Sequence, residues 1–107
     1  MQTRLSKLQK YILVYIGVWT KKRNISYLRK KETYDGIKDQ LGKHSDSFNV
    51  VLSNSIKALY KRGLISIRGK SVGLTTTGRN TAKEILQQVK EKYENVNWET
   101  LKMMYEI

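Results

Sequence analysis

The 107-residue chain contains no cysteine and no proline, which excludes disulfide frameworks, thiolate metal sites and cysteine nucleophiles. Lys and Arg outnumber Asp and Glu by 21 to 9, and the net charge of +12 favours a polyanionic partner, with nucleic acid first and an anionic membrane surface second. The longest apolar run, residues 11–19, is too short to span a bilayer. The short length predicts a single domain over residues 1–107, and the absence of cysteine favours the reducing cytoplasm as its location.

The positive charge is confined to two segments that contain no acidic residue. Residues 1–31 carry nine basic side chains and residues 47–83 carry seven. The segments between and after them, residues 32–46 and 84–107, are each weakly acidic. An ordinary protein surface mixes both signs of charge, so this separation supports nucleic acid as the partner.

The N-terminal third of the chain predicts a long helix followed by a short strand. A helix is predicted over residues 4–20 by apolar residues at helical spacing, namely Leu5, Leu8, Ile12, Tyr15 and Trp19. Further apolar side chains on its other faces indicate burial on more than one side, which in a small domain favours a partner chain. Residues 25–28 fit either a brief strand or a helical extension, and we favour the strand.

The middle of the chain predicts two helices joined by a tight turn. Thr33 is a candidate N-cap for a helix over residues 34–41. Gly36 in that helix indicates close packing against a neighbour, because glycine costs ~1 kcal/mol relative to alanine in a helix. Asp46 or Ser47 would cap a second helix over residues 47–62, which Gly63 would end and whose apolar face is Phe48, Leu52, Ile56 and Leu59.

The C-terminal part predicts a hairpin and two more helices. Residues 64–68 and 72–75 have the pattern of two strands joined by a tight turn at residues 69–71. One threonine of residues 75–77 would cap a helix over residues 77–94, and the apolar tail from residue 98 predicts a short final helix. The predicted fold class is therefore mainly α with a small β-hairpin, and the extra N- and C-terminal helices are expected to serve dimerisation.

This order of elements is that of a winged helix-turn-helix domain. The segments Leu59-Tyr-Lys-Arg-Gly-Leu-Ile65 and Leu74-Thr-Thr-Thr-Gly-Arg79 resemble the end of the recognition helix and the exit from the wing in the MarR and PadR groups of regulators. The composition is also similar in style to that of small winged-helix proteins of archaeal viruses and plasmids. The resemblance implies a helix-turn-helix over residues 33–62, a wing over residues 64–75 and C-terminal helices over residues 77–107.

The resemblance also implies that the helix over residues 47–62 enters the major groove of DNA. On its outer face Asn54 can pair with adenine and Val50 can touch a thymine methyl group. Because many relatives carry arginine at the position of Asn54, a preference for guanine is not expected. The candidate DNA-binding residues are Asn49, Val50, Ser53, Asn54, Lys57 and Lys61 on the helix, Arg68 and Lys70 in the wing, and Arg79 beyond it.

The apolar surface predicts a homodimer through residues 5–20 and 80–105. The candidate interface residues are Leu8, Tyr11, Tyr15, Trp19, Val89, Trp98, Leu101 and Met104. His44 is the single histidine, so neither a two-histidine metal site nor a Ser/His/Asp triad can be assembled within one chain. We therefore expect no enzymatic activity, no cofactor and no metal.

The predicted function is sequence-specific binding of double-stranded DNA by a homodimeric transcriptional regulator that occupies a promoter. Two other classes fit the same residues. One is a plasmid or viral replication or partition adaptor, which repeated sites and cooperative spreading on DNA would favour. The other is a winged helix used as a protein-interaction module, which an absence of salt-dependent DNA binding would favour.

Overall fold

The computed structural model describes residues 4–93 and 96–106, with side chains as far as residue 102. Within these ranges the protein is mainly helical and contains a small three-stranded antiparallel sheet, which confirms the fold class at this level. The elements in chain order are α1 Lys7–Arg23, β1 Leu28–Arg29, α2 Lys30–Leu41, α3 Asp46–Lys61, β2 Ile65–Arg68, β3 Ser71–Leu74, α4 Thr76–Lys92 and α5 Trp98–Glu106.

Helix α1 is the central element of the core. Ser6 and Gln9 form a capping box at its start, in which each side chain accepts a hydrogen bond from the backbone N–H of the other residue. Residues 11–16 are all buried, because α1 packs against α3, α4, α5 and β3. The helix continues three residues beyond the prediction, and Asn24 ends it in the left-handed conformation, with φ 55°.

Two predicted helix caps are wrong. Helix α2 begins at Lys30, so Thr33 lies inside its first turn, where the hydroxyl group donates to the Arg29 carbonyl oxygen at 2.9 Å. The start of α2 is held by the hairpin instead, since the Lys30 N–H donates to the Lys70 carbonyl oxygen at 2.7 Å. The cap of α3 is Ser45, whose hydroxyl accepts from the Phe48 N–H, and not the Asp46 or Ser47 of the prediction.

The sheet has β3 at its centre, in the order β1-β3-β2. The predicted hairpin is present: Ile65 lies opposite Leu74, and Arg68 lies opposite Ser71 beside the turn. The strand predicted over residues 25–28 is shorter and later, and it pairs with β3 at Leu28 and Arg29. At the other end of the hairpin, the cap residue Thr75 starts α4 and donates its hydroxyl hydrogen to the Gly63 carbonyl oxygen at 2.6 Å, which connects α4 to the end of α3.

Seven of the eight side chains predicted for a dimer interface are described, and they pack within the protomer. Five of them are buried by the chain's own elements, namely Leu8, Tyr11, Tyr15, Val89 and Leu101. Helix α5 covers this side of α1, and the half-buried rings of Trp98 and Trp19 stack with centroids 6.1 Å apart. The Met104 side chain lies outside the described residues. Helix α5 thus covers the aromatic side of α1 from which the dimer was predicted. The homodimer stays a prediction, and the buried residues are not available for its interface.

None of the helices in the described ranges combines the length and the apolar character that crossing a bilayer requires.

Candidate nucleic-acid interface

Helix α3 has one buried face and one exposed face. Phe48, Leu52, Ile56 and Leu59 are buried, and α3 packs through them against α1 and the start of the hairpin. Apart from Asp46 in its first turn, α3 carries no acidic residue. Its exposed face therefore offers hydroxyl, methyl, amide and ammonium groups, from Ser47, Val50, Val51, Asn54, Lys57 and Lys61.

The structure separates the six candidate DNA-binding residues of α3 into two groups. Val50, Asn54, Lys57 and Lys61 are exposed, as a ligand contact requires. Asn49 and Ser53 are partly buried, because they lie on the flank of the helix between its two faces.

Two residues of the exposed face were missed by the sequence analysis. Val51 is 49% exposed and Ser47 is also exposed. Val51 precedes Asn54 by three residues and Ser47 precedes it by seven, so both lie on the same side of the helix as Asn54. The helical period therefore predicts that they share its exposed face. Ser47 is a candidate cap by sequence, and the use of Ser45 as the cap leaves it on the exposed face.

A basic cluster surrounds the turn of the hairpin. Arg68 and Lys70 are exposed there, and Gly69 makes the turn with φ 55°. The hydrogen bond from Lys30 to Lys70 and the pairing of Arg29 with Ser71 bring the start of α2 to the same place. We call Arg29, Lys30, Arg68 and Lys70 the tip cluster, and it gathers cations from two parts of the chain.

Tyr27 lies beside the sheet and contacts Arg68 of the hairpin. A Cβ atom at Gly73 would overlap the Ser26 carbonyl oxygen and lie 3.0 Å from the Tyr27 ring, so glycine is what lets this segment lie against β3. The Tyr27 hydroxyl is 3.1 Å from the Ser66 hydroxyl, and the Arg68 guanidinium lies 5.0 Å from the ring centroid. Tyr27 therefore restricts the orientation of Arg68 through a cation–π contact. Finding this contact from sequence requires the strand order, which hairpin patterning does not supply.

Arg79 lies apart from both of these surfaces. Helix α4 starts at the Leu74 end of the hairpin, opposite to the turn, and Arg79 lines a groove between α1 and α4 together with Lys21 and Lys83. The described residues of α3 do not line that groove. The structure thus brings together the cations of the hairpin turn and leaves Arg79 on a separate part of the surface.

Three ion pairs lie beside α2. Arg23 pairs with Glu32 at 3.5 Å, and Lys38 pairs with Asp35 at 3.6 Å. The His44 ring nitrogen lies 3.6 Å from an Asp39 carboxylate oxygen. These pairs place the acidic residues of α2 next to basic side chains, and none of the three pairs involves α3 or the hairpin.

No group of three metal-ligating side chains occurs in the described ranges.

No protein-family model, curated protein or solved structure matches the chain. The assignment of function therefore depends on the exposed face of α3 and on the tip cluster.

Proposed function

We propose that the chain is a winged helix-turn-helix protein that binds double-stranded DNA sequence-specifically. Helices α2 and α3 form the helix-turn-helix, α3 enters the major groove, and the β2–β3 hairpin is the wing. The observation that carries the proposal is α3 itself, which is anchored by one face and exposes an opposite face without acidic residues beyond the first turn. An α-helix with its side chains is about 10–12 Å wide, which fits a major groove about 12 Å wide.

The side chains of the two surfaces suit different parts of DNA. The Asn54 amide can donate and accept together, as the edge of adenine requires. Lys57 and Lys61, further along α3, have only donors and suit phosphates. The tip cluster supplies cations to the adjacent backbone or minor groove, where arginine is favoured if the groove is narrow. Arg79 is not included, because it lies at the other end of the hairpin.

The biological role that we assign is transcriptional regulation by occupancy of a promoter. A homodimer would present its two α3 helices to half-sites about 10–10.5 bp apart, or a multiple of that spacing. Cooperative spreading over repeated sites would instead favour a replication or partition adaptor.

Selection from random-sequence duplexes tests the proposal. Duplexes that the protein retains are sequenced, and native protein and the Asn54→Ala variant are titrated with the enriched duplex and with a scrambled one. We expect the variant to lose roughly 1–3 kcal/mol on the enriched duplex, with one base position relaxed, and to bind the scrambled duplex almost unchanged.

The Asn80→Ala variant is the matched control, since Asn80 is an exposed asparagine on α4. It should bind both duplexes as the native protein does. Equal weakening of both duplexes by Asn54→Ala would remove α3 as the reading helix. An absence of salt-dependent DNA binding would favour the protein-interaction module over the proposed function.

A further inference from the structure

Two adjacent valines lie on the exposed face of α3, where packing in the core does not account for their apolar side chains. Val50 is 60% exposed and Val51 is 49% exposed. Valine is a poorer helix former than alanine or lysine, and neither side chain is buried in the core. Exposed apolar side chains that sit together on a surface commonly indicate a binding site.

The two valines are neighbours of Asn54 on the helix surface. Val50 precedes Asn54 by four residues and Val51 precedes it by three, which are the two spacings that place side chains side by side. All three side chains are exposed. The two valines flank Asn54, so that two pairs of methyl groups lie on either side of one carboxamide, and we call this surface the valine–asparagine patch.

In the major groove, the chemistry of this patch matches A·T pairs. Thymine is the unmodified DNA base that presents a methyl group there, and adenine presents the adjacent acceptor and donor that a carboxamide can bind together. Valine methyl groups against a G·C pair would instead cover polar base atoms without replacing their hydrogen bonds to water. Arginine and lysine are the residues that most often read guanine, and the patch contains neither of them.

We propose that the valine–asparagine patch reads a short A·T-rich core in the major groove. Asn54 binds an adenine, and Val50 and Val51 contact the C5 methyl groups of thymines in neighbouring base pairs. The inference rests on the proposed function and specifies the class of DNA that α3 selects. Burial of one methyl group corresponds to about a fourfold change in Kd.

Replacement of thymine by deoxyuridine tests the inference, because it removes the C5 methyl group and keeps the base pair. The probe is the enriched duplex from the selection, with each thymine of its core replaced in turn. We expect the native protein to bind the contacted uracil duplexes about fourfold more weakly per lost methyl group. Val50→Ala and Val51→Ala should each weaken binding of the thymine duplex and no longer distinguish uracil at the matching position.

Both alanine variants are expected to fold, since the sites are exposed and alanine favours helix. Ile25→Ala is the matched control, because Ile25 is an aliphatic residue outside α3 that is 44% exposed. It should keep the native discrimination between thymine and uracil.

Each other outcome overturns the inference in a distinct way. An enriched duplex that binds equally well with thymine and uracil, or discrimination that survives both alanine variants, removes the methyl contacts but leaves DNA binding intact. If the selection enriches no duplex, the inference and the proposed function fail together. If the valine variants change only self-association, measured by sedimentation, the valines belong to a protein contact.

Discussion

At the scale of single residues, Gly36 decides how closely α2 approaches α1. A Cβ atom at this position would overlap the Tyr15 hydroxyl group, so the absent side chain is required by the contact. Tyr15 is itself buried in the core. Glycine lowers the helix propensity of α2, but it permits the close packing of α2 against Tyr15.

We predict that Gly36→Ala destabilises the fold although alanine favours helix formation. The overlap with Tyr15 should lower the free energy of unfolding by about 1–3 kcal/mol, measured by urea denaturation. Tyr15→Phe removes the overlapping hydroxyl, so the double variant should recover much of the loss. A single variant as stable as the native protein would show that α2 and α1 can separate without cost.

At the scale of elements, the hairpin and α2 act as one unit around the turn. The hydrogen bond from Lys30 to the Lys70 carbonyl oxygen and the pairing of β1 with β3 fix the start of α2 to the hairpin. The cations of the tip cluster are therefore held near one another by backbone contacts, which under the proposed function would reduce the entropy lost on binding phosphates.

Lys70→Ala should weaken binding to all duplexes by a similar factor. Each phosphate contact contributes about one unit to the slope of log K against log salt, so the slope should fall by about one. Lys83→Ala removes the same charge from the α1–α4 groove and should leave the slope nearly unchanged. Equal effects of the two variants, in titrations at several salt concentrations, would attribute binding to net charge instead of the hairpin.

The helices and the hairpin could be predicted from sequence because their signals are local. The 3.6-residue period of Phe48, Leu52, Ile56 and Leu59 identifies the buried face of α3, and that face indirectly identifies the exposed one. The cap of α2 could not be predicted, because a tertiary hydrogen bond from the hairpin replaces the threonine cap. The contact of Tyr27 with Arg68 depends on strand order in the same way.

At the scale of the whole molecule, the sequence reveals the amount of apolar surface but not what covers it. Tyr11, Tyr15 and Trp19 follow a stripe on α1 that suits a second chain as well as a later helix of the same chain. In the structure, Trp98 of α5 lies against all three rings. The choice between the two arrangements depends on long-range packing, for which periodicity carries no information.

Trp98→Ala should uncover this aromatic stripe. We expect the free energy of unfolding to fall by about 2–3 kcal/mol, less than for a fully buried aromatic, and self-association to increase at micromolar concentration. Sedimentation equilibrium and urea denaturation measure the two effects, with Tyr60→Ala as an exposed aromatic control on α3. A native dimer that dissociates in the Trp98 variant would instead assign Trp98 to an interface between two chains.

The stability of the whole molecule should decrease in alkali. Burial is the main cause that raises the pKa of Tyr11, with the nearby Tyr15 adding to it, and burial also raises the pKa of Tyr15. Below about pH 10 both tyrosines are neutral in the folded and unfolded states, so their contribution is fully present. Above that pH the unfolded tyrosines ionise first, and stability is lost by up to about 1.4 kcal/mol per pH unit for each group.

Urea denaturation at several pH values from about 9 upward measures this loss. Tyr11→Phe removes the ionisable group and keeps the ring, so the variant should lose less stability than the native protein over the same range. Parallel curves for the two proteins would show that other groups control the alkaline transition.

The strand order also determines when the protein can fold during its synthesis. The middle strand β3 is the last of the three to be translated. More than forty residues must therefore be added after β1 before its partner strand exists. Helix α1 lacks two of its packing partners for still longer, because α4 and α5 are translated after the sheet. Nascent chains that end before α4 therefore expose the apolar faces of α1, and the core on which α3 packs is complete only after α4 and α5 have been made.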